Sequence, residues 1–354
     1  VTGDPEGTSG WPDAGHRVPD LTAVAPHAGA AQTHRYRLAL WAFAGCGLAV
    51  AIVLLVRAGL PQILELLRTA GYALIVLVPL HLVPLALDAS GWRALLPPGG
   101  PGRSYLTGAA VIRESVGGLL PVRVGGEIAG IRLLLRRGVP GVAATASVVV
   151  EVTLWLVAQL IFAVAGLVLL VLLAHGDRNP APRWAAGGLL LTAVGLAAFV
   201  VLQRRVGLFT IVEHILAGLA GRDVVRRVAD PARLDAAIRR LYRDRGALSR
   251  CVAWQLTGFV AGAAETWVAF QLIRQPVSVP AAVVMESLTV ALQSATFFVP
   301  AGLGTQEAGF VLLGAAVGVS TPAALAGALA RRGRQLALGV PALLAWFWLE
   351  RRPG

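Results

Sequence analysis

Long apolar runs alternate along this chain with short segments that carry arginine. The runs at 38–56, 72–95, 142–174, 184–203, 248–273 and 322–349 each approach or exceed the ~20 apolar helical residues that cross a bilayer core. Six full transmembrane helices are predicted on that ground. Asp88 interrupts the second run, Glu265 the fifth, and Arg331, Arg332 and Arg334 the sixth. Tyr36, Trp41, Tyr72, Trp92, Trp184, Trp346 and Trp348 stand near run ends, where aromatic rings favour the headgroup layer. Segments 106–138 and 282–319 are less apolar and are broken midway by Pro and Gly. Each is expected to fold as a helical hairpin that enters the membrane and returns. Non-helical backbone finds no water in lipid, so such breaks must be buried in protein or line a wet cavity. Residues 1–33 have no apolar period and are rich in Gly, Pro, Ala and Thr, the pattern of a disordered tail. The fold class expected is an all-α polytopic integral membrane protein, with one transmembrane domain over 34–351.

Composition agrees with that pattern. Of 354 residues, 56% are hydrophobic and 14% charged, against about 25% charged in a soluble domain. The 31 basic residues against 19 acidic give a net charge of +12. Every basic residue is arginine, which excludes a P-loop lysine and any Schiff-base lysine. Cys46 and Cys251 lie in separate apolar runs and read as small apolar fillers, not as a zinc cluster or disulfide framework. No cofactor or metal motif is present, and the chemistry of an enzyme is not expected.

The arginines sort by side. With the N-terminus inside, the cytoplasmic segments are 93–137, 204–250 and the tail at Arg351 and Arg352. The outer loops keep only Arg57, Arg68, Arg178, Arg183 and Arg274. This is the positive-inside pattern, with both termini cytoplasmic, and it makes the membrane surface a better partner than nucleic acid. In the basic segment 204–250, Asp230 reads as an N-cap before Pro231. Leu234, Ile238 and Leu241 then follow at helical spacing, predicting a basic amphipathic helix lying on anionic lipid.

The two hairpins repeat each other. Pro121 stands four residues before Gly125, and Pro300 four before Gly304. Glu127 lies eleven residues before Gly138, and Glu307 eleven before Gly318. Thirteen residues beyond those glycines come Glu151 and Arg331, so a cross-repeat ion pair between them is expected. Three spans between the hairpins would make the repeat inverted, an arrangement that secondary transporters use to bring broken helices together at the midplane. Gly125, Gly126, Gly302 and Gly304 are the candidates for tight backbone turns beside a lipid path. Arg113, Arg123 and Arg132 around the first break offer a headgroup bidentate contacts, with Glu114, Glu127 and Glu307 as carboxylate partners. Arg331 and Arg334 share a helix face that Arg332 does not. His81, alone in the second run, reads as a hydrogen-bonded core residue.

These motifs resemble the lysylphosphatidylglycerol synthase transmembrane family, the flippase-like domain family, over most of 38–350. The first hairpin carries Pro121, Gly125 and Glu127; the second carries Pro300, Gly302, Gly304 and Glu307. Many members have an Arg soon after the first Glu, whereas here Gly130 intervenes and Arg132 comes later. The strings LLPVRVGGEIAGIRLL and FFVPAGLGTQEAGFVLLG are similar to the hopanoid-biosynthesis-associated branch. The resemblance implies a lipid translocase or lipid-trafficking protein of the bacterial cytoplasmic (inner) membrane. Hopanoids or anionic phospholipids are then the expected partners, with hopanoid-biosynthesis enzymes as possible neighbours. A non-catalytic scaffold for lipid-modifying enzymes is the alternative, and a membrane-embedded transferase a third reading. The aminoacyl-transferase domain of full synthases does not follow in this sequence, so lysyl-lipid synthesis is not expected of it.

Overall fold

The computed structural model describes residues 59–119, 125–173, 231–296 and 302–351, with short pieces at 48–49, 52–57 and 299. The expected tail at 1–33, the span at 184–203 and the Asp230 cap lie outside the described residues. Among those described, all regular structure is helical: α1 (Leu60–Ala70), a 3-10 turn (Gly71–Val76), α2 (Leu77–Arg93), α3 (Arg103–Leu119), α4 (Gly125–Arg136), α5 (Gly141–Leu173), α6 (Pro231–Arg243), α7 (Arg245–Leu272), α8 (Val279–Ala295), α9 (Thr305–Ala316) and α10 (Thr321–Arg351).

Three of the predicted runs reappear with boundaries set by local chemistry. The run at 142–174 is α5, begun just after Pro140. The run at 248–273 is α7, started three residues earlier because the Asp244 side chain caps the amide of Ala247 at 2.9 Å. The run at 322–349 is α10. The second run departs from the prediction. Residues 60–70, expected in an outer loop, form α1, which runs on through the 3-10 turn into α2. Its apolar positions Leu60, Ile63, Leu64 and Leu67 have helical spacing, and Ile63 is fully buried.

Helices Leu60–Arg93 and Gly141–Leu173 are long and apolar enough to cross a membrane. α5 has one buried side and one exposed apolar side. Ala158, Phe162, Ala163 and Gly166 are buried, whereas Ile161, Val164, Val168 and Leu172 stand exposed. An apolar face left open in this way is satisfied by lipid. α6 corrects a further expectation. Its apolar face, Leu234, Ile238 and Leu241, packs on Leu95, Ala146, Val150 and Cys251 instead of on lipid. Protein had the complementary apolar surface to cover it, and Arg233, Arg239, Arg240 and Arg243 face outward.

The repeat is visible in the backbone. α3 and α4 pack as one helical hairpin, α8 and α9 as another. Each second helix ends in the same turn. Gly138 (φ 74°) donates to Leu135 O at 3.0 Å while Val139 donates to Leu134 O at 3.2 Å. Gly318 (φ 83°) donates to Ala315 O at 3.3 Å while Val319 donates to Gly314 O at 2.8 Å. This is the glycine-ended C-cap, and only glycine holds its left-handed position without strain. After it, Pro140 and Pro322 lead into the long helices α5 and α10. One core gathers around Trp92 from α2, α3, α4 and α5, and another around Phe270 and Phe310 from α1, α7, α8, α9 and α10. Contacts of α2 with α7 and of α5 with α8 join the halves.

Candidate functional site

Where the halves meet, α2, α3, α4, α5, α7, α8 and α10 line a cavity of about 460 Å³. Trp155, Phe259 and Leu338 give it an apolar wall, while ionisable side chains from both halves line the rest. Ionised groups at membrane depth cost several kcal/mol unless paired or wetted, and here they are arranged as two paired clusters.

The first cluster centres on Arg113 of α3. Its Nε lies 2.7 Å from Glu127 at the start of α4, and its terminal nitrogen donates to Glu151 of α5. The guanidinium sits over the ring of Trp92, 5.3 Å from its centroid. Gln255 of α7 donates to the other oxygen of Glu151 at 2.9 Å. Gly126 makes this possible: a Cβ there would stand 2.4 Å from the carbonyl oxygen of Arg113, so only glycine lets α4 approach α3 this closely. Gly125, by contrast, is simply the first helical residue of α4, and the left-handed turn expected there is absent.

The second cluster joins α2, α3, α7, α8 and α10. Arg331 donates to Glu286, which also accepts from Thr266 at 2.7 Å. Arg334 donates to Glu265. His81 places Nδ1 2.7 Å from Glu265 and Nε2 3.0 Å from Glu114.

Arg113, Glu114, Glu127, Glu151, Arg331 and Arg334 all line the cavity, six of the residues singled out in the sequence. The expected pair between Glu151 and Arg331 does not form. Each is taken by a nearer partner of its own half, Arg113 for Glu151 and Glu286 for Arg331. Arg132 also lies elsewhere, bonded to Glu350 and set over Trp346 at 5.8 Å. Glu307 pairs with Arg332 at 3.0 Å, on the side of α10 away from Arg331 and Arg334, as the helix-face argument required. Gly302 (φ 58°) and Gly304 (φ 75°) do supply left-handed turns, and Gly304 caps α9. They shape the second hairpin without lining the cavity; the link runs through Gln306, which meets the cavity residues Gln293 and Gln335 at 3.2 Å each. Pro121, Arg123 and Pro300 lie outside the described residues.

Asp88 and Glu265 were legible as charges inside apolar runs, but neither they nor Glu286 of the second hairpin were read as members of this site. His81 was read as core, and Gln255 carried no signal. Among the described residues, no group of three or more His, Cys, Asp or Glu side chains is placed to hold a metal ion.

The model of the lysylphosphatidylglycerol synthase TM region matches residues 43–342, and the chain belongs to that family. It is thereby a membrane protein of a lipid-related family. A search of curated proteins finds no match.

Proposed function

We propose that this chain moves lipids across or between membranes and that the cavity receives the headgroup. The observation that carries the reading is the pairing of an apolar wall with charged clusters from both repeats in one 460 Å³ space. A lipid is itself such an object, polar at one end and apolar at the other. Glu127, Glu151, Glu265 and Glu286 are paired with guanidiniums, and each such group can exchange a partner for a headgroup hydroxyl, phosphate or amine.

On this reading α4 and α9, each 12 residues long, are the re-entrant arms. At about 1.5 Å per residue each reaches some 18 Å, short of the ~30 Å core. Both termini and the outward arginines of α6 face the cytoplasm, at the inner membrane of a bacterium. On this reading the carboxylates act by binding, with Arg113 holding both Glu127 and Glu151 in place. Hopanoids are the cargo suggested by the hairpin strings, with anionic phospholipids as the other class.

Protein reconstituted into phosphatidylcholine vesicles tests this with two tracers, fluorescent phosphatidylglycerol and a labelled hopanoid polyol. The expected result is protein-dependent exposure of at least one inner-leaflet tracer. Exposure of neither, beyond protein-free vesicles, contradicts lipid movement. Unchanged hopanoid distribution between membranes in a deletion strain contradicts that cargo.

A further inference from the structure

Among the described residues, six carboxyl groups and three guanidiniums line the cavity, an acidic excess of three before His81 is counted. The guanidiniums are committed, Arg113 to Glu127 and Glu151, Arg331 to Glu286, and Arg334 to Glu265. Glu114 is hydrogen-bonded by His81. The charge on the imidazole therefore changes how much of the excess is neutralised.

Its surroundings serve two protonation states. A neutral imidazole has one N–H and one lone pair; an imidazolium has two N–H groups. Nε2 faces Glu114, an acceptor, at 3.0 Å, so it carries a proton in both states. Nδ1 faces both kinds of partner: Glu265, an acceptor, at 2.7 Å, and Arg334, a donor. Unprotonated, Nδ1 accepts from Arg334. Protonated, it donates to Glu265, and Arg334 keeps its bond to the other oxygen of Glu265. Neither state leaves the nitrogen without a partner, which distinguishes it from a structural histidine fixed as one tautomer.

We propose that Nδ1 of His81 binds and releases a proton as the headgroup enters and leaves the cavity, so that lipid movement is coupled to protons. The inference rests on the reading of the cavity as a headgroup site. The groups that set the balance come from every helix packed around His81: Asp88 on its own helix, Arg113 and Glu114 on α3, Glu151 on α5, Glu265 on α7, Glu286 on α8, and Arg331 and Arg334 on α10. A proton taken from water onto Nδ1 adds one positive charge beside Glu114 and Glu265. The acidic excess falls by one, and an anionic phosphate headgroup meets less repulsion. Loss of the proton restores the excess and favours departure.

Two readouts separate this from the lipid-movement reading. The first is the ¹⁵N spectrum of histidine-labelled full-length protein in detergent, with the His81 signals assigned as those missing from His81→Gln. Over a titration from about pH 9 to about pH 4, Nδ1 should pass from unprotonated to protonated while Nε2 stays protonated. A ring that keeps one state throughout overturns the proposal, whatever the protein does to lipid. The second is the wild-type rate of fluorescent phosphatidylglycerol movement in vesicles under opposed pH gradients of about two units, expected to differ about threefold or more between the two directions. Lipid movement with equal rates overturns the coupling and leaves the lipid reading intact. A titrating Nδ1 in a protein that moves no lipid overturns the coupling together with the lipid reading, and leaves only the proton site.

Discussion

Arg113 on α3 and Glu151 on α5 form an ion pair inside the first repeat, and the second repeat holds the same kind of pair with its charges exchanged. There the acid is Glu286, on the first helix of its hairpin, and the base is Arg331, on the long helix that follows. Opposite polarity on corresponding helices gives the first helix of one hairpin a basic anchor and that of the other an acidic one.

That pairing makes a charge-exchange prediction. Arg113→Met strands Glu127 and Glu151 and should destabilise the protein by about 3–5 kcal/mol, the usual range for breaking a buried pair. Exchanging Arg113→Glu with Glu151→Arg should recover part of the loss measured for Glu151→Arg alone. Exchanging Glu151→Arg with Arg331→Glu should recover nothing. Thermal unfolding in detergent, followed by tryptophan fluorescence, reads all of them, and recovery in the last exchange would contradict the pairing described.

Gly126 and Gly125 should behave differently although they are neighbours. An added Cβ at Gly126 meets backbone at 2.4 Å, whereas at Gly125 it meets only a methyl of Val116 at 3.3 Å. Gly126→Ala is expected to cost on the order of 1–3 kcal/mol by overpacking, and Gly125→Ala well under 1 kcal/mol. Equal melting shifts for the two would show that α3 and α4 can separate without penalty.

Glu286 and Glu307 supply a second contrast. Both are buried and bonded to arginine, but only Glu286 lines the cavity. Glu286→Gln is therefore predicted to slow lipid movement at least about tenfold, corresponding to ~1.4 kcal/mol on the barrier. Glu307→Gln should lower stability more than it slows movement. Rates in vesicles, normalised to folded protein, decide between them, and a larger rate loss in Glu307→Gln would move the path to the second hairpin break.

Sidedness follows from the arginines. In a variant without Cys46 and Cys251, an impermeant thiol reagent added to intact cells should label a cysteine placed at 179 and not one at Arg239, exposed on α6. Labelling at 239 alone would invert the topology.

The sequence made the long helices legible because apolar length is a one-dimensional property. α5, α7 and α10 begin and end within a few residues of their runs. α1 was missed since its period is short and its ends are marked by Gly59 and Gly71 rather than by charge. The hairpins were legible from their glycines and prolines. Partner choice was not. Glu151 and Arg331 match by repeat position, yet an ion pair is decided by angstroms, and Arg113 is nearer one and Glu286 nearer the other. His81 and Gln255 became part of the site only when α2 and α7 packed against each other, a contact that no local pattern encodes.

The central claim is that a lipid headgroup occupies the cavity between the repeats. It is tested most directly by photocrosslinking in native-like membranes, with a lipid that carries a diazirine on its headgroup, followed by mapping of the labelled peptides. The account predicts crosslinks on the cavity-facing sides of α3, α5, α7 and α10, at positions such as Trp155, Phe259 and Leu338, reduced by excess unlabelled lipid. Crosslinks confined to the outward faces, such as Ile161, Val164 and Val168 of α5, would contradict it.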